Sequence, residues 1–90
     1  MGDLDAVRDA VAFVCAVDAG SLRADTRFDA LGADSLVRVG IADMVERTLA
    51  AAPAGWRIDD AVLGRVATLG ELADHVARAR SATPLTASPA

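Results

Sequence analysis

Apolar residues recur three and four positions apart in three stretches of the chain, and this spacing predicts three main helices. The first helix is predicted over residues 3–18, and Gly20 is expected to end it. Its buried face is predicted to consist of Leu4, Val7, Ala10, Val11, Phe13, Val14 and Cys15.

The second helix is predicted over residues 35–50 and the last one over residues 69–80. Thr68 followed by Glu71 has the pattern of a capping box at the start of the last helix. The buried stripe of the second helix is predicted to be Val39, Ile41, Ala42, Val45 and Leu49, with Leu36 and Met44 at its margins. The buried face of the last helix is predicted to be Leu69, Leu72, Ala73 and Val76.

The connections between these helices carry apolar and turn-forming residues of their own. Residues 21–33 form a long first loop that Leu22, Phe28 and Leu31 are expected to hold against the core, with Gly32 in a tight turn. A second loop is predicted over residues 50–56. Trp56 in that loop is expected to pack over the end of the core, and the alternative is that it forms part of a partner surface.

Residues 58–66 predict a short third helix that begins at Asp59 or Asp60. No stretch alternates with the period of a strand, so the expected fold is an all-α four-helix bundle with a long first loop. The folded domain is predicted over residues 1–80. Residues 81–90 are rich in Ser, Thr, Pro and Ala, which is typical of a disordered tail or linker.

Composition excludes several classes of function. The chain has 90 residues, a net charge of −4 and nine arginines against 13 acidic residues, so it is a poor candidate for binding nucleic acid. One cysteine and one histidine make no metal site. Neither a signal peptide pattern nor an apolar run of the ~20 residues that cross a bilayer is present. We therefore expect a cytoplasmic monomer.

A self-contained catalyst is not expected either. A serine nucleophile needs a base within hydrogen-bond reach, and the sole histidine, His75, lies in the middle of the last helix. The residues before Ser35 do not form a G-x-S-x-G elbow. His75 is interpreted as an exposed or half-buried helix residue, and Cys15 as a small apolar residue without a function.

Ser35 has a different kind of chemistry available to it. Asp34 is predicted to cap the second helix, which leaves Ser35 in the first turn, near the positive end of the helix dipole. A phosphate ester on its hydroxyl would be stabilised there. Such a serine needs no base of its own if another enzyme supplies the chemistry.

The stretch LGADSL, residues 31–36, resembles the attachment motif of acyl carrier proteins, Leu-Gly-x-Asp-Ser-Leu. The resemblance extends over residues 4–80. It implies that Ser35 carries a covalent 4′-phosphopantetheine arm, whose thiol holds acyl groups as thioesters, and that Asp34 helps a phosphopantetheinyl transferase to recognise the site. The other implied partners are an acyl- or aminoacyl-loading enzyme and a ketosynthase or other acyl-processing enzymes.

The second helix departs from the fatty-acid members of that family. Counted with its cap Asp34, it sets two arginines against three carboxylates, and Gly40 stands where an acidic residue is common. This departure favours polyketide or related secondary metabolism over housekeeping fatty-acid synthesis. The predicted partner surface consists of Leu36, Val37, Arg38, Asp43, Met44 and Glu46.

Two alternatives stay open. The chain also resembles peptidyl carrier proteins, although their usual second glycine is Ala33 here. The alternative from another class is an unmodified helical adaptor domain in which Ser35 only stabilises the helix start. A standalone protein is expected, but a domain excised from a megasynthase would have a similar sequence.

Overall fold

The computed structural model describes residues 2–49 and 56–82, and four α-helices account for most of them. The helices are α1 (Asp3–Cys15), α2 (Ser35–Thr48), α3 (Asp60–Leu63) and α4 (Leu69–Ala82). The described residues contain no β-strand; they include one isolated bridge, between Arg27 and Thr68. The predicted all-α fold with a short third helix is confirmed.

Parts of two predictions lie outside the described residues. They are the loop over residues 50–55, including the predicted last residue of α2, and the tail from residue 83 onward. Helix α4 continues to Ala82, past its predicted end at residue 80. The domain boundary at residue 80 stays a prediction.

The core lies where α1 packs against both α2 and α4. Small and branched aliphatic residues dominate it, because the sequence offers few aromatic ones. Its members on the three long helices are Ala6, Val7, Ala10, Val11, Ile41, Ala42, Val45, Leu69, Leu72, Ala73 and Val76. The predicted buried face of α4 is therefore confirmed, as are four of the five residues predicted for α2. Of the face predicted for α1, Val7, Ala10 and Val11 are buried, and Leu4, Val14 and Cys15 are half-buried against the core.

Two apolar residues predicted to be buried are exposed instead. Phe13 is 75% exposed and Val39 is 53% exposed. Phe13 follows Ala6 by seven residues, which is about two helical turns, so both lie on the same side of α1. Phe13 is exposed because it lies near the end of the helix, where no described residue covers it. Val39 lies two residues from Ile41, which places it on nearly the opposite side of α2.

The end of α1 also differs from the prediction. The helix ends at Cys15, and Ala16 adopts a left-handed conformation with φ 56°. The N–H groups of Ala16 and Val17 both donate to the carbonyl of Ala12. Because the chain turns here, Val17 packs against the core immediately after the helix. Gly20 is therefore not the terminator, and it lies in a short 3₁₀ turn, Ala19–Ser21.

The first loop is held against the core as predicted. Phe28 is completely buried, Leu22 is 4% exposed and Leu31 is half-buried. Gly32 has φ 68°, the left-handed conformation that a tight turn requires. The loop also pairs with the start of α4, because the Phe28 N–H donates to the carbonyl of Ala67 at 2.9 Å.

Trp56 closes the core at the far end of α2. Its side chain is 3% exposed, and its indole N–H donates to the carbonyl of Leu49 at 3.0 Å. A buried indole needs a partner for this N–H, and the last carbonyls of a helix need donors. The interpretation of Trp56 as a core residue is confirmed.

Gly70 permits a close approach between α4 and the first loop. Its N–H donates to the carbonyl of Ala24 at 2.7 Å, and a Cβ on Gly70 would lie 2.9 Å from that same oxygen. The backbone of the first loop therefore contacts α4 directly at Gly70, where no side chain separates the two.

Replacing Gly70 by Ala should destabilise the protein, although alanine favours helix. The added methyl group would push the loop away, which we expect to lower the free energy of unfolding by about 1–3 kcal/mol in urea denaturation. Gly64→Ala is the matched control, because Gly64 has an ordinary helical φ of −73° and its Cβ would have no neighbour closer than 3.8 Å. A Gly70→Ala protein as stable as the control would contradict this account.

Candidate functional site

Ser35 is the first residue of α2, and Asp34 caps that helix. Asp34 has extended backbone, and its Oδ1 accepts a hydrogen bond from the Val37 N–H at 2.9 Å. Its backbone carbonyl accepts from the Arg38 N–H at 3.0 Å, which is the first hydrogen bond of the helix. The predicted cap is confirmed, so the Ser35 hydroxyl is not needed for that role.

The Ser35 side chain is exposed, and its hydroxyl has no hydrogen-bond partner among the described residues. The N–H groups of Ser35 and Leu36 precede the first helical hydrogen bond, and they too lack an acceptor in the described part of the chain. Unpaired N–H groups and the helix dipole favour a negative group here. The site therefore fits a phosphate ester on Ser35.

His75 is engaged elsewhere in the protein. It is half-buried on α4, and its Nε2 accepts a hydrogen bond from the Asp59 N–H, 3.2 Å away, at the start of α3. Asp59 is also the cap of α3, since its Oδ1 accepts from the Ala61 N–H at 2.8 Å. The histidine therefore supports the α3–α4 connection, and this engagement removes it as a base for Ser35.

A small cleft opens beside Ser35, between α2 and α3. Its volume is about 70 Å³, and it is lined by Ser35, Arg38, Val39, Asp60, Leu63 and Gly64. A larger open groove of about 370 Å³ shares Val39, Asp60 and Leu63 with this cleft. Charged side chains of Asp43, Glu46 and Arg57 line that groove as well.

Arg38 forms the inner wall of the cleft. Its Nε donates to the carbonyl of Ala33 at 3.3 Å, and its Nη1 donates to the carbonyls of Leu63 at 3.1 Å and Val66 at 2.8 Å. The guanidinium carbon lies 4.9 Å from the centre of the Phe28 ring, which adds a cation–π contact. Arg38 was predicted to face partners, but its charged group points into the protein because the carbonyl oxygens lie there.

The other residues of the predicted partner surface differ in exposure. Leu36 is 78% exposed, whereas Val37 and Met44 are half-buried against the core. The carboxylate of Asp43 pairs with Arg47 at 3.0 Å. Glu46 accepts a hydrogen bond from the Ile58 N–H at 2.8 Å, so it joins α2 to the segment before α3. Leu36 and Val39 are thus the exposed large apolar side chains near Ser35 on α2.

Other features of the described residues bring no further chemistry to the site. Burial raises the pKa of the Cys15 thiol, so less of it is thiolate at neutral pH. No cluster of His, Cys, Asp and Glu side chains in residues 2–49 and 56–82 has the arrangement of a metal site. Within the same ranges, no helix has the length and apolarity that crossing a membrane requires.

Comparison with known proteins places the chain in a family. A family model described as a phosphopantetheine attachment site matches residues 5–76. The chain therefore belongs to the phosphopantetheine-binding carrier family, whose members carry a covalently attached 4′-phosphopantetheine group. A search of curated proteins found no significant match. The resemblance to acyl carrier proteins is confirmed at the level of this family.

The cap contact at Asp34 can be tested by two substitutions. Asp34→Ala removes the acceptor for the Val37 N–H and should lower the free energy of unfolding by about 1 kcal/mol. Asp34→Asn keeps an acceptor oxygen and should retain most of that stability. The measurement is urea denaturation followed by circular dichroism. Equal stabilities of the two variants would show that the observed hydrogen bond contributes nothing.

Proposed function

We propose that this protein is an acyl carrier protein and that Ser35 is its attachment residue. The observation that carries the proposal is the exposed, unpaired Ser35 hydroxyl at the start of α2, within the residues that the family model matches. Asp34 supports it by capping the helix, because this leaves the serine free for modification. The protein itself acts as a carrier and is not a catalyst.

Attachment is a phosphoryl-type transfer from coenzyme A. A bond forms between Ser35 Oγ and the phosphorus that bears pantetheine, the pyrophosphate bond breaks, and adenosine bisphosphate leaves. The hydroxyl proton passes to the phosphopantetheinyl transferase, because no described side chain accepts a hydrogen bond from the Ser35 hydroxyl. The transferase also binds the Mg²⁺ that this chemistry uses.

When attached, the arm supplies a thiol on which acyl groups are held as thioesters. The contribution of the chain is to hold Ser35 at a fixed, accessible position and to offer a docking surface beside it. Tethering makes the second encounter with each enzyme intramolecular, which raises the effective concentration of the acyl group. We place the carrier in the cytoplasm, as the sequence predicts.

We further propose that partner enzymes recognise an apolar surface made of Leu36 and Val39. Both side chains are exposed, at 78% and 53%, and they follow Ser35 by one and four positions on α2. Both carboxylates of α2 that could attract basic partners are paired with arginines of the chain: Asp43 with Arg47 at 3.0 Å, and Glu46 with Arg57 at 3.9 Å. This arrangement supports a specialised pathway, such as polyketide synthesis, over fatty-acid synthesis.

Acyl cargo is proposed in preference to aminoacyl cargo because of the residue two positions before Ser35. Peptidyl carriers usually have a second glycine in this part of the motif, whereas Ala33 here is a buried side chain. Its carbonyl also accepts the hydrogen bond from Arg38. Loading of the modified protein by an acyltransferase or by an adenylating enzyme distinguishes the two kinds of cargo.

The attachment residue can be tested by incubating the protein with coenzyme A and a transferase of broad specificity. Intact-mass spectrometry should show a gain of one phosphopantetheinyl group in the wild type and none in Ser35→Ala. Ser21→Ala is the matched control, since Ser21 is also exposed but donates its hydroxyl to the Asp18 carbonyl at 2.7 Å. It should be modified like the wild type. No gain in the wild type, under conditions that load a known carrier, would overturn the proposal.

The apolar surface can be tested through the kinetics of the same transfer. Truncating Leu36 to Ala should lower kcat/KM by about tenfold, mainly through KM, which is typical of losing one well-placed apolar contact. Phe13→Ala is the control, because Phe13 is equally exposed, at 75%, but lies on α1. The surface is assigned wrongly if the two substitutions have the same effect.

A further inference from the structure

Arg65 and Arg78 differ from most of the nine arginines of the chain, because neither has an acceptor or a carboxylate partner among the described residues. Both side chains are exposed. Arg23 is the one other arginine without a partner in the described part of the chain. The remaining arginines all contact a carboxylate or a backbone carbonyl. The guanidinium groups of Arg65 and Arg78 are therefore free to bind a ligand.

These two arginines line the same open groove, between the end of α3 and the outer face of α4. Its volume is about 210 Å³, and we call it the α3–α4 groove. Its full lining is Val62, Arg65, Val66, Glu71, Asp74 and Arg78. It shares no lining residue with the cleft beside Ser35 or with the larger groove next to that cleft. The α3–α4 groove is thus a separate surface.

The charge of Arg78 is not neutralised by the carboxylate four residues before it. Asp74 and Arg78 have the same order and spacing on α4 as Asp43 and Arg47 on α2, which pair at 3.0 Å. In the described part of the chain, Asp74 and Arg78 form no such ion pair. The donors of Arg78 therefore stay available in the groove.

The chemistry of the groove favours a peptide over a chain of phosphates. A guanidinium binds a carboxylate through two parallel hydrogen bonds, and the half-buried Val62 beside the buried Val66 suits the methylene groups of peptide side chains. Glu71 and Asp74 repel phosphates. Asp74 can accept a hydrogen bond from a peptide N–H, whereas Glu71 already accepts one from the Ala67 N–H at 2.9 Å.

We propose that the α3–α4 groove binds an acidic segment of a partner protein, whose carboxylates are received by Arg65 and Arg78. The chain has a net charge of −4, so the attraction is local and weak, and it serves specificity more than affinity. A partner bound here leaves Ser35 accessible, because the groove and the cleft beside Ser35 have no lining residue in common. It therefore holds the carrier while an enzyme acts at Ser35, which raises the effective concentration of each for the other.

Binding can be measured by nuclear magnetic resonance titration of the whole, unmodified chain with synthetic peptides. The probe is a blocked hexapeptide of alternating glutamate and alanine, and the control peptide has lysine in place of glutamate. The glutamate peptide should shift the backbone amide signals of Arg65, Val66 and Arg78, with a Kd in the millimolar range. The signals of Ser35 and Leu36 should not move. Added salt should weaken binding several-fold, since it screens exposed charges.

Three substitutions test the assignment of the charges. Arg65→Gln and Arg78→Gln should each raise the Kd by about two- to fivefold, which is typical of losing one exposed ion pair. Asp74→Asn should lower the Kd by about the same factor, because it removes a repelling charge and keeps an acceptor oxygen. Arg23→Gln is the matched control, since Arg23 is also exposed and without a partner in the described residues but lies in the first loop. It should leave the Kd unchanged.

Several results would overturn the proposal. They are the absence of any shift with the glutamate peptide up to tens of millimolar, an equal loss of affinity in Arg23→Gln and Arg65→Gln, and equal shifts with the lysine peptide. A hexanucleotide of thymidine or inorganic sulfate that binds as tightly as the glutamate peptide would show general anion binding, and it too would overturn the assignment. None of these measurements depends on the modification of Ser35, so they stand whether or not Ser35 is the attachment residue.

Discussion

The guanidinium of Arg38 is the contact on which the surroundings of Ser35 depend. A half-buried charge is costly unless its donors are used, and helix ends leave carbonyls without donors. Arg38 satisfies both needs at once, since it reaches the carbonyls of Ala33, Leu63 and Val66. The Phe28 ring beneath it joins this polar contact to the aliphatic core. The start of α2 and the end of α3 are thereby fixed to each other.

This arrangement fits the proposed role of the chain as a carrier that other enzymes modify and load. Asp34 caps α2, so the Ser35 hydroxyl and the first N–H groups of the helix are left without partners in the described part of the chain. The acidic residues of α2 are engaged with neighbours, which leaves Leu36 as the most exposed apolar side chain beside the serine. A carrier that binds each partner enzyme briefly needs a serine held in a fixed position and an exposed apolar surface beside it.

The sequence predicts best what depends on local spacing. The buried positions Leu69, Leu72 and Val76 repeat at helical intervals, and Asp34 immediately precedes a helical pattern, so both predictions are confirmed. Periodicity does not reveal where a neighbouring helix stops covering a face. For that reason Phe13 was predicted to be buried, although it is exposed. Val39 was wrong for a different reason, since it lies nearly opposite Ile41 on α2 and does not belong to the buried stripe.

What the sequence could not reveal depends on contacts between distant residues. Arg38 has the spacing of a surface residue on α2, and its carbonyl acceptors at Leu63 and Val66 lie 25 and 28 residues away along the chain. Gly70 likewise has no local signal, because its role depends on the approach of Ala24 from the first loop. Ala16 takes a left-handed conformation that its type disfavours, at the turn that brings the half-buried Val17 against the core.

The most direct measurement of the central claim is to locate the modified residue in the wild-type protein. After reaction with coenzyme A and the transferase, the protein is digested and its peptides are sequenced by tandem mass spectrometry. We predict that the phosphopantetheinyl group is found on Ser35 alone, with Ser21, Ser81 and Cys15 unmodified. Modification of another residue, with Ser35 unmodified, would contradict the account.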